Sequence, residues 1–491
     1  MLDNRASDKP EFRKTIGLAE AVAFGIGGMI GGGIFALSGS IARQAGIAAI
    51  AVFILASITA LASGLTYAEF STVIISAGGG YSYVNEVFPE FLGFIAGWWF
   101  FLAYTLAGAF YAVVFGVYLE FLLNIPFFIF SLILIIFFGI VNFIGTKESS
   151  ITEFLLVVFK LTIILIFITS GFISLKISFG KTLFVPAPLI LLSLVATVFV
   201  AFEGFDIIAT LSQETRNPIR NIPRAVIISI LLVTLVYILV VIIELLILTQ
   251  QAVPPDISSE EIILYTAYKI LGPIGIYMLI SSAIISTMSA YNATLCAAAR
   301  VSFAMGNNKA LPRIFRVLHP RFNTPYISVI LSSAIIMVVL FILELFIPRE
   351  TMSIALGQLA SLAFAFSFAI VNFSLVIHRN LHVNIKRQFR ILLYPITPLY
   401  GMIAAIVFGT IIALTNIIIF AVYLLSTVLG IIYYLLLVKK IQSISDAIKI
   451  IKSDIMKAKE ALALRKFIEE LSHEKWWKIL RRRIRRKFKR S

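Results

Sequence analysis

Three charged side chains lie inside stretches of the sequence that are otherwise apolar. Lys160 lies about ten residues into the stretch 150–174, and two acids, Glu203 and Asp206, interrupt the stretch 187–212 on either side of a glycine. Removing a charge from water is costly, so such residues usually have a function. A buried lysine whose protonation can change is suited to proton coupling, and the acids are candidates for a binding site. The alternative is structural, with each charge held permanently by a neighbouring helix.

The hydroxyl groups of another apolar stretch, 273–304, are candidate partners of Lys160. Ser286 and Ser289 lie near its middle, beside Thr287. They could hydrogen-bond the lysine or an ion, although hydroxyls in helices more commonly bond back to their own backbone. Ser286 and Ser289 are therefore assigned, with the lysine, to proton coupling.

The stretch 15–41 contains six glycines within nine residues, from Gly25 to Gly33. Glycine weakens a helix, so this segment can unwind. Unwinding leaves free carbonyl groups at the end of one half-helix and free N–H groups at the start of the next. The carbonyl end attracts a cation and the N–H end an anion, so one break could bind both ends of a zwitterion. The alternative is close helix packing through small residues.

The elements that carry these residues are predicted to be membrane-spanning helices. Of 491 residues, 60% are hydrophobic and 13% are charged, whereas a soluble domain has roughly 25% charged residues. The apolar residues form blocks of about 20, the length that crosses a bilayer. The predicted spans are 15–41, 44–75, 88–122, 126–144, 150–174, 187–212, 222–248, 273–304, 325–347, 350–377, 391–414 and 416–438. The expected fold is all-α and integral to the membrane, with about twelve spans.

The two interrupted stretches are the first and the sixth of these spans. They are therefore the first members of two successive groups of five. Interrupted spans at matching positions in two halves indicate an inverted-repeat transporter with its binding site near the middle of the membrane.

The distribution of lysine and arginine predicts the orientation. With the N-terminus inside, the inner segments before residue 439 carry 17 of these residues and the outer segments carry five. Both termini are therefore expected in the cytoplasm of a multi-pass protein of the cell membrane. The chain divides into a cytoplasmic segment (1–14), a transporter domain (15–438) and a cytoplasmic tail (439–491), and no removable signal peptide is expected.

The tail differs from the rest of the chain in charge. It has 18 basic and six acidic residues, and its apolar residues recur at a spacing typical of an amphipathic helix. This pattern predicts binding to anionic lipids of the inner leaflet. The alternative is a solvated helix that reinforces the orientation, and nucleic acid is not an expected partner.

The sequence gives no indication of enzymatic or metal chemistry. Cys296 is the single cysteine, and the four histidines are far apart along the chain. Neither a nucleophile with a neighbouring base nor a set of metal ligands is recognisable. We therefore expect no enzyme, no metal site and no cofactor.

Four motifs resemble those of the amino acid–polyamine–organocation transporters, especially the cationic amino acid transporter-like branch. They are the glycine run 25–35, the segment 67–83, the segment 201–225 and the end of the eighth span at 299–312. The resemblance covers roughly residues 15–440. It implies a LeuT-like inverted repeat of five plus five helices, two further helices, and discontinuous first and sixth spans.

The same resemblance implies roles for the residues of the two breaks. Backbone amides near Gly31, Gly32 and Gly33 would hold a substrate carboxylate. The carbonyl groups that would hold the substrate amino group are those around Ile26, Met29, Val200, Ala201 and Glu203. Phe202 would be an aromatic gate.

Two further residues bear on coupling and specificity in this resemblance. Lys160 matches the fifth-helix lysine of proton-coupled members, where sodium-coupled relatives bind their ion. Glu203 departs from the family pattern, since many relatives have a neutral residue there. It would either favour a cationic substrate or serve as a second proton site.

The expected function is proton-coupled amino acid symport by alternating access. The expected partners are an amino acid, protons and membrane lipids. Exchange of amino acids or polyamines and a non-transporting amino acid sensor that uses the basic tail remain alternatives.

Overall fold

The computed structural model describes residues 12–175, 186–250, 254, 257, 261–439, 452–454 and 456. Within these residues the helices in chain order are α1 (Leu18–Met29), α2 (Gly33–Ala45), α3 (Ala48–Phe70), α4 (Gly80–Val87), α5 (Glu90–Leu123), α6 (Phe127–Ile144), α7 (Thr146–Ser174), α8 (Pro188–Phe199), α9 (Ile207–Thr210), α10 (Pro218–Gln250), α11 (Ile262–Leu271), α12 (Pro273–Asn307), α13 (Tyr326–Phe346), α14 (Arg349–Leu381), α15 (Ile396–Thr415) and α16 (Ile417–Tyr433). Short 3-10 helices occupy Val200–Phe202 and Arg313–Arg316, and Tyr434–Val438 is π-helical.

The structure confirms the predicted all-α membrane fold. Among the described residues, eleven helical segments are long and apolar enough to cross a membrane, and a twelfth arises if α1 and α2 form one span. These two helices meet at an angle of 42°. The sixth span, Ile190–Thr210, is interrupted between α8 and α9. Both predicted discontinuities are therefore present.

Helix pairs that correspond in the two predicted halves pack against each other. The second and seventh spans, α3 and α10, are in contact, and so are the third and eighth, α5 and α12. Direct contact between equivalent helices is what two repeats related by a twofold axis would produce. The interrupted spans therefore come together in the centre of the bundle, where α1 contacts both α9 and α10.

Two short helices lie where the sequence analysis predicted connections. These are α4, with 8 residues, and α11, with 10 residues. Such helices extend about 12 to 15 Å at 1.5 Å per residue, too short to cross the membrane. Gly79, the residue before α4, has a φ of 49°, a conformation that glycine adopts easily. The glycines Gly78 and Gly79 therefore lie in a tight turn that leads directly into α4, which begins at Gly80.

The predicted terminal segments fall largely outside the described residues. This applies to 1–11 of the N-terminal segment 1–14 and to most of the tail 439–491. The lipid-binding helix predicted for the tail lies there and stays a prediction.

Candidate functional site

The first break separates α1 from α2 by three residues. The amide of Ile30 donates to the carbonyl of Ile26 at 2.8 Å, and the amide of Gly31 donates to the carbonyl of Met29 at 2.9 Å. These bonds turn the chain at the end of α1, and α2 begins at Gly33. The first N–H groups of α2 have no partner within their own helix, as at any helix start.

The second break begins after the 3-10 turn Val200–Phe202. Glu203 is extended, and Gly204 follows with a φ of 120°. A side chain at residue 204 would be strained by this angle, and its Cβ would lie 2.6 Å from the carbonyl carbon of Gly28. The last turn of α1 and the second break therefore touch backbone to backbone, and a glycine on each side allows this approach.

Tyr237 on α10 links the two breaks through one hydroxyl group. Its oxygen lies 2.8 Å from the carbonyl oxygen of Met29 and 2.9 Å from that of Ala201. A hydroxyl has one proton, so it donates to one of these carbonyls at a time. The ring also packs edge-on against Phe202, with 5.2 Å between centroids. The sequence analysis missed this residue, since a tyrosine in an apolar span carries no distinguishing signal.

Lys160 on α7 places its ammonium group at the carbonyl end of α1. Its Nζ lies 2.7 Å from the carbonyl oxygen of Ile30, 3.5 Å from that of Gly27, and 3.1 Å from Oγ of Ser289. The lysine is fully buried. A cation at the C-terminal end of a helix is stabilised by the free carbonyls and the helix dipole. The break in the first span therefore already holds the side-chain nitrogen of a lysine.

The three hydroxyl residues near the middle of α12, Ser286, Thr287 and Ser289, are placed differently. Ser289 contacts Lys160, as the sequence analysis expected. Thr287 donates to the carbonyl of Ile284 at 2.7 Å, which is the common backward bond. The buried hydroxyl of Ser286 has no hydrogen-bond partner among the described residues. The structure thus brings one of the two predicted serines to the lysine, and the role of Ser286 stays a prediction.

Glu153 is the second residue of this site that the sequence analysis missed. Its carboxylate accepts hydrogen bonds from the hydroxyl of Ser289 and, at 2.7 Å, from Nδ2 of Asn292. It is fully buried and lies seven residues before Lys160 on α7. Residues seven apart share a helix face, so this spacing was the signal that could have found it.

The two acids of the second break have separate partners. Ser361 on α14 donates to Glu203 at 3.0 Å, and Tyr104 on α5 donates to Asp206. Asp206 is completely buried, whereas Glu203 keeps 9% of its surface accessible. Glu203 is therefore the less completely buried acid of this pair.

The nine predicted substrate-binding residues all lie in the two breaks or in the helical ends beside them. Several of their backbone groups already have partners: the carbonyl of Ile26, the carbonyl of Val200 and the amide of Gly31 bond within their own breaks. Gly32 and Gly33 stand at the start of α2, where an anion would find free N–H groups. The assignment of these nine residues to a substrate stays a prediction.

No group of three or more His, Cys, Asp or Glu side chains suited to a metal ion occurs among the described residues.

The chain matches the family model described as Amino acid permease over residues 16–438. It belongs to this family. The family is part of the amino acid–polyamine–organocation superfamily, so the resemblance drawn from the four motifs is confirmed. Members are membrane transporters, and the chain is a multi-pass transporter rather than an enzyme.

Three relatives illustrate the range of this family. The methylthioribose transporter of Bacillus subtilis is 29% identical to this transporter over 80% of the chain and 87% of its own length. The serine/threonine exchanger SteT of the same organism is 29% identical over 79% of the chain and 89% of its own length. Cationic amino acid transporter 4 of Mus musculus is 26% identical over 74% of the chain and 61% of its own length.

Proposed function

We propose that this transporter moves amino acids across the cell membrane by proton-coupled symport with alternating access. The observation that carries the proposal is the ammonium group of Lys160 on the carbonyl end of α1, at the break in the first span. In this position its protonation state affects the segment that would bind substrate. If Lys160 lost its proton in the inward-facing or the outward-facing state and regained it in the other, proton movement would be coupled to substrate movement.

An amino acid is the substrate class that the two breaks suit best. The start of α2 offers N–H groups to a carboxylate, and the carbonyls of Met29 and Ala201 converge on one point, the hydroxyl of Tyr237. An amino group could replace that hydroxyl, since it donates to several acceptors at once. The names of two relatives, a serine/threonine exchanger and a cationic amino acid transporter, support this class.

Lys160 also argues against sodium as the coupling ion. Its Nζ lies 2.7 Å from the carbonyl of Ile30 and 3.1 Å from the hydroxyl of Ser289, so it occupies oxygen ligands that a sodium ion would need. The residues assigned to proton coupling are therefore Lys160, Ser289 and Ser286.

The proposed orientation places both termini in the cytoplasm. The basis is the excess of lysine and arginine in the inner segments. The basic tail, 439–491, would then lie against the anionic inner leaflet.

Exchange is the second candidate function, favoured by the relative that is named a serine/threonine exchanger. An exchanger of amino acids would load labelled substrate in counterflow without net proton movement. A symporter would accumulate substrate only while a pH gradient is present.

The test uses the purified full chain. A thermal-shift screen across the amino acids identifies ligands, and uptake of the labelled ligand into proteoliposomes is then measured with and without an inward proton gradient. We expect accumulation with the gradient and little without it. Equal uptake in both conditions, with strong counterflow, would replace symport by exchange.

A further inference from the structure

Glu153 is a buried acid that has no role in the transport cycle proposed above. It lies two helical turns before Lys160 on the same face of α7, a separation of about 10 Å along the axis at 1.5 Å per residue. In the proposed orientation it lies on the cytoplasmic side of the lysine. An uncompensated carboxylate at this depth would be costly, so its partners determine what it can do.

One hydroxyl group connects the acid to the lysine. Ser289 on α12 donates to Glu153, and its oxygen lies 3.1 Å from Nζ of Lys160. The acid also lies directly against the first break, because a Cβ at Gly27 would overlap its carboxylate. Three parts of the site therefore meet around Ser289: the C-terminal end of α1, Lys160 and Glu153.

The polar contacts continue from Glu153 towards the start of α7. Asn292 donates to the acid at 2.7 Å, and its own side-chain oxygen accepts from Asn142 at 2.8 Å and from Ser149 at 3.0 Å. Ser149 lies less than one turn from Thr146, where α7 begins. The acid is thus the inner end of a buried polar path that leads towards the cytoplasmic surface.

We propose that Glu153 is the proton partner of Lys160 and exchanges its proton with the cytoplasmic side. The ammonium group gives a proton to the oxygen of Ser289 while the hydroxyl proton of Ser289 passes to the carboxylate. The products are a neutral amine, an intact hydroxyl and a neutral carboxylic acid. The pair therefore loses both charges together, and neither residue of the pair is left with an uncompensated charge.

The other charged groups near this pair are already engaged. Along α12 beyond Ser289, the next titratable residues are Tyr291, Cys296 and Arg300, and the guanidinium of Arg300 is paired with Glu214 at 2.7 Å. On α1 the facing residue is Gly27 and on α6 it is Asn142, neither of which titrates. The titration of the pair therefore rests on Glu153 and Lys160 themselves.

This inference rests on the proposed proton coupling, and the experiment separates the two. Uptake driven by a proton gradient and counterflow without a gradient are measured in proteoliposomes for the wild type, Glu153→Gln and Glu153→Asp. The matched control is Glu148→Gln, an exposed acid on the same helix. For Glu153→Gln we expect gradient-driven uptake to fall at least about tenfold, since positioned proton donors commonly contribute more than this.

The readouts distinguish proton exchange from a merely structural role. Counterflow should persist in Glu153→Gln, the uptake rate should lose its dependence on cytoplasmic-side pH, and Glu153→Asp should restore that dependence. Full gradient-driven uptake by Glu153→Gln, in a protein whose coupling is lost in Lys160→Ala, would overturn the inference alone. A wild type without gradient-driven uptake would overturn the proposed function.

A second variant keeps the test decisive if Glu153→Gln does not fold. Ser289→Ala removes the bridging hydroxyl and leaves both charged residues in place. It should lose gradient-driven uptake and keep counterflow. Full coupling in Ser289→Ala would show that the hydroxyl does not carry the proton.

Discussion

Two polar clusters lie at the breaks of the first and sixth spans, and they differ in charge balance. The lysine cluster (Lys160, Glu153 and Ser289) combines a basic and an acidic side chain, which the hydroxyl of Ser289 bridges, and is completely buried. The acid cluster (Glu203 and Asp206) contains two acids, and among the described residues neither forms an ion pair. The first cluster is complete without a ligand, whereas the second could be completed by a cation.

This difference suggests that the lysine cluster acts in proton transfer and the acid cluster in substrate binding. Lys160 and Glu153 can pass a proton between them, and the change in charge on Lys160 acts on α1 through the carbonyl of Ile30. Glu203, which is buried less completely than Asp206, is the acid that the sequence predicts at the substrate site. The first two predictions below each change one cluster and leave the other intact, and the third removes the hydroxyl that links the two breaks.

Gly27→Ala should have the largest effect, because it acts on the lysine cluster. The new Cβ would overlap the carboxylate of Glu153 and lie 2.8 Å from Oγ of Ser289. Displacing the acid breaks buried, charge-assisted hydrogen bonds and should cost about 2 to 3 kcal/mol of folding free energy. Thermal unfolding of the purified protein measures the loss.

The matched control for this substitution is Gly357→Ala on α14. Its Cβ would meet Phe110 at 3.6 Å, an ordinary contact. Since alanine favours a helix over glycine by up to about 1 kcal/mol, the control should be neutral or slightly stabilising. Equal melting temperatures for the two variants would contradict the close approach of Glu153 to α1.

Glu203→Gln should change substrate preference and leave proton coupling intact. The substitution keeps the shape and removes the negative charge. If the acid contacts a cationic group of the substrate, uptake of cationic amino acids should fall roughly tenfold relative to neutral ones, because a charge-assisted hydrogen bond contributes about 1.5 kcal/mol.

The control for Glu203 is Ser361→Ala, which removes its donor and keeps the charge. This variant should retain the preference. Should Glu203→Gln instead abolish the effect of the proton gradient on uptake of neutral amino acids, the acid would be a second proton site.

Tyr237→Phe should have the smallest effect of the three. It removes the hydroxyl shared by Met29 and Ala201 and keeps the ring against Phe202. Loss of one buried hydrogen bond should reduce the free energy of unfolding by about 1 kcal/mol. The melting temperature without ligand should fall by about one degree, since the entropy of unfolding grows with chain length, and an unchanged value would show that the hydroxyl does not hold the breaks together.

The features that were predictable from the sequence are those in which a residue violates the rules of a membrane span. Glycines weaken a membrane helix, and acids or a lysine inside a span are costly to bury. Six glycines in the first span, two acids in the sixth and a lysine in the fifth can therefore be recognised as unusual without coordinates. For the same reason the two breaks and the position of Lys160 were predictable.

The features that were not predictable depend on which helix faces come together. Tyr237 is compatible with any apolar span, and only the packing of α10 against α1 gives its hydroxyl two carbonyls. The seven-residue spacing places Glu153 on the helix face of Lys160 but does not predict its burial, since it lies near the start of its span, where an acid is common at a membrane interface. Its burial follows from the space at Gly27 and from donors on α12, which are contacts between distant parts of the chain.

The most direct test of the account is proton-driven uptake by Lys160→Ala. Reconstituted wild type and variant are compared for amino acid uptake with an inward proton gradient and for counterflow without one. The account predicts that the variant loses accumulation driven by the gradient but still exchanges substrate, since the two breaks remain. Full gradient-driven accumulation by Lys160→Ala would contradict it.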